Sequence, residues 1–204
     1  GLDRWILPQL DWPAWQTTLE RIQASITDDV IDDAIANLPP EYQAEVGEHL
    51  RSGLRARRDN LVDEGRAFYE MHAEEVDIQG SDEEDLAVID YLGGDSIRVR
   101  LSGMTAEGDP KAPTYFDRTF RRADTEEIRI YLRGDDDRAL IRGDGSSRIE
   151  VRVIGGGSDD VLVDERTDPT GLIHFYDHRG DNEVVDDGRI GFDRWDFYDP
   201  PPTD

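Results

Sequence analysis

Hydrophobic side chains recur every three to four residues through the first third of the chain, which is the spacing of one face of an α-helix. This pattern predicts a helical region over residues 14–76, preceded by an extended arm over residues 1–13. Pro39 and Pro40 end the first short helices. The following segment, up to residue 76, fits either one long helix or two helices broken near Asp59–Asn60.

Beyond residue 76 the hydrophobic period shortens to two, which is the pattern of half-buried β-strands. Leu86–Leu92 and Ile97–Leu101 flank a Gly-Gly-Asp turn and predict a β-hairpin, and Tyr115–Arg121 predicts a further strand. A β-rich domain is therefore expected over residues 77–190. Residues 191–204, which are rich in aromatic residues and proline, are expected to form an extended tail.

An internal repeat occupies residues 126–190. Acidic turns begin at Gly134, Gly157 and Gly180, and the residues between them repeat a strand, a turn and a second apolar segment. Such a repeat suits the stacked rungs of a short parallel β-roll, and it also suits an antiparallel meander or sandwich. Three units are close to the lower limit for a stable roll, so we favour the antiparallel arrangement. In either case the predicted fold class is α+β.

Charge narrows the range of partners. The chain has 23 basic and 48 acidic residues and a net charge of −25, which repels nucleic acids and anionic membrane surfaces. It has no cysteine, so disulfides, thiolate metal sites and cysteine nucleophiles are excluded. No apolar run approaches the roughly 20 residues of a membrane-spanning helix, so no direct membrane span is predicted.

The acidic turns are the first candidate site. Residues 155–163 resemble the calcium-binding nonapeptide of repeat-in-toxin proteins, Gly-Gly-x-Gly-x-Asp-x-apolar-x, although Ser158 replaces one glycine. The resemblance implies that carboxylates and backbone carbonyls of the turns coordinate Ca²⁺. The alternative, which we favour, is that glycine and aspartate are present only as turn formers. No cofactor is therefore predicted. If a cation binds, it is Ca²⁺, and its candidate ligands are Asp135, Asp136, Asp137, Asp159 and Asp160.

Aromatic residues concentrate at both ends of the chain and form the second candidate site. Tryptophan, tyrosine and arginine dominate interface hot spots, so these arms predict docking to a partner protein. The alternative is that both arms pack on the core of their own domain. The candidate partner-binding residues are Trp5, Ile6, Leu7, Trp12, Trp15, Trp195, Phe197 and Tyr198.

A cluster of arginines between residues 51 and 58 adds Arg55 and Arg58 to the candidate partner contacts. In an acidic chain these side chains could bind a phosphate, a lipid head group or an acidic face of a partner. The alternative, which we favour, is that they pair with acidic residues on neighbouring helical turns.

Catalytic patterns are missing from the sequence. It contains no Walker or Rossmann glycine motif, no nucleophile elbow and no H-E-x-x-H, and His174 and His178 lie four residues apart on a predicted strand. Paired carboxylates such as Glu126 and Glu127 could serve a carbohydrate-active enzyme, but 48 acidic residues make such pairs common. We therefore predict a non-catalytic protein and keep the carbohydrate-active enzyme as an alternative.

Three segments carry a resemblance to a known family. Residues 115–164, together with the Leu-Pro-Pro-Glu-Tyr start at Leu38 and the Leu-Arg-Ala-Arg-Arg-Asp run at Leu54, resemble a module of large bacterial surface-antigen-like envelope proteins. The resemblance implies a location outside the cytoplasm, ahead of an outer-membrane β-barrel. This sequence has neither a barrel segment nor an N-terminal catalytic module, and it begins with Gly1, so we expect a fragment or a released piece.

The chain is also similar in character to the extra soluble subunit of gemmatimonad-type reaction-centre–light-harvesting complexes. These resemblances imply a periplasmic accessory subunit or scaffold that docks through its aromatic arms onto a larger membrane-embedded complex, such as a photosynthetic reaction centre. The alternatives are a calcium-binding β-repeat module and, third, the enzyme named above.

Overall fold

The structure is a computed structural model that describes residues 6–143, 145–166, 172–177 and 180–186 and the backbone of 191–193. The chain divides into two compact units. One is helical and comprises Leu10–Met71. The other is β-rich and comprises the residues up to Gln9 and those from His72 onward.

Four α-helices follow a short 3-10 helix at Leu7–Gln9; they are α1 (Trp12–Ser25), α2 (Asp28–Ala36), α3 (Pro40–Asp59) and α4 (Leu61–Ala73). Side chains cap the first two helices, because the carboxylate of Asp11 accepts a hydrogen bond from the backbone N–H of Ala14 and the Thr27 hydroxyl accepts one from Val30. α3 ends at Asp59 and α4 begins at Leu61, so two helices meet at Asn60. Of the two alternatives for this segment, the break near Asp59–Asn60 is therefore confirmed.

The boundaries at both ends differ from those predicted. Residues 1–13 were expected to be extended, but Leu7–Gln9 are helical and α1 already begins at Trp12, since the Asp11 cap and Pro13 in the first turn favour an early helix start. The first strand begins at Glu75, inside the predicted helical region. In the predicted tail, Gly191–Asp193 form a strand, and the rest of that tail lies outside the described residues.

Eleven strands make up the described part of the β-rich unit. They are β1 (Glu75–Gln79), β2 (Asp85–Tyr91), β3 (Ser96–Met104), β4 (Pro110–Arg121), β5 (Glu127–Tyr131), β6 (Arg138–Arg142), β7 (Glu150–Ile154), β8 (Val161–Asp164), β9 (Ile173–Tyr176), β10 (Glu183–Val185) and β11 (Gly191–Asp193). The first sheet has the order β1-β5-β7-β9-β11 and is parallel throughout. The second has the order β10-β8-β6-β2-β3-β4, in which β10, β8, β6 and β2 are parallel and the β2–β3–β4 pairs are antiparallel.

The repeat is therefore a parallel β-roll, and the antiparallel arrangement that we favoured is wrong. Each rung places one strand in each sheet, and β1 with β2 forms an additional rung ahead of the three in the sequence repeat. The 23-residue repeat does not reveal this additional rung, because the β3–β4 hairpin is inserted between it and the next rung. As a result, Asp85 and Asp137 at equivalent corners are 52 residues apart, whereas Asp137 and Asp160 are 23 apart.

The core lies between the two sheets and contains inward-facing aliphatic and aromatic side chains. Alternation places Ile128 and Ile130 of β5 and Val151 and Val153 of β7 inside, each with no exposed surface, while Phe120 of β4 is 1% exposed. Identical inward positions stack from rung to rung, because the parallel pairing aligns Ile128 with Val151. Burial of these stacked residues holds the two sheets together.

Candidate functional site

The acidic turns form a ladder of aspartates at the corner where each rung passes from the first sheet to the second. The backbone N–H of Asp85 donates to Oδ1 of Asp137 at 2.8 Å, that of Asp137 donates to Oδ1 of Asp160 at 2.9 Å, and that of Asp160 donates to Oδ1 of Asn182 at 2.8 Å. Each side chain thus satisfies a buried backbone donor of the neighbouring rung, and this inner ladder fixes the stacking register.

A second ladder runs outside the first, with its hydrogen bonds in the opposite direction. The N–H of Asp159 donates to Oδ1 of Asp136 at 3.1 Å, and the N–H of Asp181 donates to Oδ1 of Asp159 at 2.8 Å. Asp135, at the exposed tip of its turn, accepts from the N–H of Asp136. The repeated Asp-Asp pair in the sequence therefore supplies one inner and one outer rung of hydrogen bonds.

The five predicted calcium ligands lie on different sides of this corner. Asp137 and Asp160 are buried, whereas Asp135, Asp136 and Asp159 are exposed to solvent. Within the described residues, no group of three or more histidine, aspartate or glutamate side chains is placed to hold one metal ion.

Burial has a large effect on the inner aspartates. Asp85 and Asp160 have no exposed surface and Asp137 is 2% exposed, and each has one buried carboxylate oxygen without a hydrogen-bond donor in the described part of the chain. Loss of hydration, assisted by the neighbouring Asp85 carboxylate, raises the pKa of Asp137 to about 8. Loss of hydration, together with the Asp177 carboxyl group, raises the pKa of Asp160 to about 9. Both shifts favour the protonated, neutral form of Asp137 and Asp160 at neutral pH.

Gly155 makes room for two of these acids. A Cβ atom on Gly155 would lie 2.0 Å from Oδ2 of Asp177 and 2.3 Å from Oδ2 of Asp160. Both oxygens are therefore close neighbours over the glycine backbone, where two carboxyl groups can share a hydrogen bond if one of them is protonated.

The two sheets differ in their outer faces. On the first sheet the outward side chains form a charged network, in which Arg129 binds Glu75 at 2.9 Å and Glu127, and Arg152 binds Glu127 at 3.1 Å and Glu150. The second sheet also carries outward ion pairs, since Asp90 binds Arg100 and Arg142, but its β6–β8–β10 end has an apolar row. Its outward positions Leu140, Val163 and Val185 are aligned in register across β6, β8 and β10, and Val161 lies beside them.

A groove of about 550 Å³ lies between the apolar side chains of β8 and β10 and the turn of the β3–β4 hairpin. Val161, Val163 and Val185 provide its apolar strand side, and Met104 and Ala106 provide the hairpin side. The lining also includes four exposed carboxylates and one guanidinium, which belong to Glu84, Glu107, Asp136, Asp159 and Arg138, together with Thr105, Gly108 and the buried Asp137.

Two features of the groove lining point toward a ligand. The carboxylates of Glu84 and Glu107 make no ion pair or hydrogen bond with the described residues. Arg138 has a buried Nε with no acceptor in the described ranges, and its Nη1 lies 2.9 Å from the position of a Cβ on Gly108. The groove lining therefore has an acidic rim, formed by Glu84, Glu107, Asp136 and Asp159, beside a single guanidinium, that of Arg138.

The predicted aromatic contacts fall into three groups. Trp12 and Trp15 lie on α1 and pack within the helical unit. The ring centroids of Trp12 and Tyr69 are 5.5 Å apart and those of Trp15 and Phe68 are 5.8 Å apart, and both ring pairs are tilted. In the β-rich unit, Ile6 is 61% exposed and Leu7 is half-buried in the 3-10 helix. Outside the described residues lie Trp5, Trp195, Phe197 and Tyr198.

The two predicted arginines have partners inside the helical unit. Arg58 binds Asp28 at 2.6 Å and Asp59 at 2.8 Å, and Arg55 lies 3.3 Å from Asp28. The α2–α3 packing thus supplies the acidic neighbours, although the carboxylate of Asp28 comes from another helix and not from an adjacent turn of α3.

Sequence reasoning missed the groove. Its parts come from a hairpin turn and from three strands that are far apart in the sequence. One signal was available: Val161, Leu162 and Val163 are apolar in succession, although alternation requires only Leu162 to face the core.

No protein-family model, curated protein or solved structure was found to match this chain. Among the described helices, none has the length and apolar character needed to cross a bilayer.

Proposed function

We propose that this chain is a non-catalytic accessory module that docks onto a larger protein assembly through the outer faces of β6, β8 and β10 in its second sheet. The observation that carries the proposal is the aligned row Leu140, Val163 and Val185, which is apolar where a solvent-facing strand position is ordinarily polar. The outward Arg and Glu network of the first sheet and the ion pairs of Asp90 with Arg100 and Arg142 on the second have the polar pattern from which this row departs.

The docking surface in this proposal differs from the aromatic arms predicted by the sequence. Trp12 and Trp15 already contribute to the packing of the helical unit, and Arg55 and Arg58 are already paired. The extracytoplasmic location and the membrane-embedded partner remain part of the proposal, and they rest on the resemblance of residues 115–164 to envelope modules.

A pair of glutamate substitutions tests the docking surface. Val163→Glu with Val185→Glu places two charges on the apolar row, whereas Thr114→Glu with Thr119→Glu places two charges on exposed positions of β4. In native cells, we expect the wild-type chain and the β4 variant to sediment with a high-mass assembly and the first variant to sediment at its own mass. Retention of the first variant in the assembly, or a wild-type chain that sediments alone, would overturn the proposal.

Calcium binding is a second candidate function, favoured by the buried oxygens Oδ2 of Asp137 and Oδ2 of Asp160, which have no hydrogen-bond donor among the residues that the structure describes. A cation could neutralise these groups in place of protons. Thermal melting of the full chain with Ca²⁺ or with Mg²⁺ tests it. We expect Ca²⁺ alone to raise Tm, and the variant Asp137→Asn with Asp160→Asn to lose this response. An unchanged Tm in millimolar Ca²⁺ contradicts the candidate.

A further inference from the structure

The groove beside the β3–β4 turn has a composition that selects its occupant. We propose that it binds an extended segment of the partner protein in which lysine or arginine alternates with aliphatic residues. This inference deepens the docking function proposed above and rests on it.

The shape of the groove suits a short peptide segment. Its volume of about 550 Å³ lies within the range of roughly 300–1,000 Å³ that is usual for ligand pockets. One wall is a row of strand side chains, Val161, Val163 and Val185, and the other is the turn at Met104 and Ala106. Side chains of an extended segment alternate in direction, so every second residue can contact the valines while the others face the rim.

The charges of the acidic rim determine which side chains of the bound segment can face it. Four exposed carboxylates face a single guanidinium, so the rim is negative in net charge, and Glu84 and Glu107 have no cationic partner among the described residues. An acidic segment would be repelled by these groups, whereas lysine or arginine side chains would pair with them. The net charge of −25 would also steer a basic segment toward the chain.

Arg138 has a separate role in this arrangement. Its guanidinium is part of the groove lining, and its terminal N–H groups can donate to a peptide carbonyl of the segment. Arg138 therefore orients the backbone of the segment, while the acidic rim selects its side chains.

Fluorescence anisotropy of labelled octapeptides with the full chain tests the inference. The probes are an alternating Lys-Val peptide, its Glu-Val counterpart, and a Lys-Ser peptide that keeps the charge but lacks aliphatic side chains. We expect the Lys-Val peptide to bind at least about tenfold more tightly than either of the others, because only it satisfies both the rim and the valine row. Equal affinity for the Lys-Val and Lys-Ser peptides, or no binding, would overturn the inference.

Matched charge reversals separate the groove from general attraction to an acidic protein. Glu84→Lys with Glu107→Lys changes two rim residues, and Glu45→Lys with Glu83→Lys changes the net charge equally at exposed positions that do not line the groove. We expect the rim variant to weaken Lys-Val binding at least about tenfold and the control less than about threefold. Equal losses in both variants, with melting curves that show both folded, would overturn the inference.

The co-sedimentation experiment distinguishes this inference from the docking function. If Val163→Glu with Val185→Glu releases the chain from its assembly but no basic peptide binds, the docking surface stands and the proposed occupant is wrong. If the peptide binds the rim selectively but the assembly is unaffected, the groove stands and the docking function fails.

Discussion

The backbone N–H of Asp137 donates a hydrogen bond of 2.9 Å to Oδ1 of Asp160, which follows it 23 residues later in the chain. The next bond of the same ladder ends on an amide, because the N–H of Asp160 donates to Oδ1 of Asn182. Equivalent positions of the ladder thus hold a carboxylate in one rung and an amide in the next. A substitution of aspartate by asparagine can therefore separate the effect of the hydrogen bond from that of the charge.

Replacement of Asp160 by asparagine should stabilise the roll above neutral pH. The amide keeps the oxygen that accepts from Asp137, removes a buried titratable group, and can donate to the neighbouring Asp177 carboxyl group. We expect a higher Tm for Asp160→Asn than for the wild type at pH 8.5, measured by circular dichroism. Asp160→Ala is the control, and it should lose about 1–3 kcal/mol because the Asp137 N–H is left without its acceptor. A stabilised alanine variant would contradict the ladder.

Stability of the wild-type chain should fall as pH rises above the ordinary aspartate range. An unfolded aspartate has a pKa of about 3.9, whereas the folded pKa is about 8 for Asp137 and about 9 for Asp160. Between the unfolded and the folded pKa values, the folded state therefore binds more protons than the unfolded state. The contribution of these two protons to the free energy of unfolding is complete below about pH 4 and is lost as pH rises through the folded pKa values.

Denaturant titrations at pH 5, 7 and 9 measure how steeply the free energy of unfolding falls with pH. The double variant Asp137→Asn with Asp160→Asn should make this fall smaller, because both groups with raised pKa values are removed. Arginine pairing acts in a different pH window: Arg98 lowers the pKa of Asp117, so that contribution is lost only on acidification below about pH 4. An equal slope in the wild type and the double variant would show that the two aspartates are not the cause.

Gly155→Ala should destabilise the β-rich unit strongly. Its new methyl group would lie 2.3 Å from Oδ2 of Asp160 and closer still to Asp177, so both buried acids would have to move. Gly134→Ala is the matched control in the preceding turn, because a Cβ there meets no atom within 4 Å. Urea denaturation should show a loss of about 1–3 kcal/mol for the first variant and a change within about 1 kcal/mol for the second. Similar effects at the two glycines would contradict the close approach.

Arg129→Met should also destabilise the chain. The Arg129 side chain is 2% exposed and is bound by Glu75 and Glu127, so its removal loses buried charged hydrogen bonds, while Glu127 keeps its contact with Arg152 and Glu75 is 42% exposed. The expected loss is about 1.5–3 kcal/mol in the free energy of unfolding. Arg98→Met removes a comparable pair with Asp117 at the surface, where both side chains are 42% exposed, and should cost no more than about 1 kcal/mol. A loss at Arg129 as small as that at Arg98 would mean that its ion pairs contribute little.

Local patterns were sufficient for most of the secondary structure and for the positions of the acidic turns, but not for the element boundaries at Trp12 and Glu75. The change of hydrophobic period near residue 76 separated helices from strands, and the glycine-led acidic turns identified the repeat. These features depend on neighbours in the sequence, so composition and spacing determine them. The α+β class and the β2–β3 hairpin are confirmed on that basis.

Only the tertiary structure decided how the strands pair and where a candidate site forms. Alternation places the same side chains inside in a parallel roll and in an antiparallel meander, so the sequence left the pairing open. The first rung was hidden because the hairpin separates Asp85 from Asp137 by 52 residues. The groove likewise joins Glu107 of the hairpin turn to Val163 and Val185 of later strands, and contacts between such distant residues exist only after the rungs have stacked.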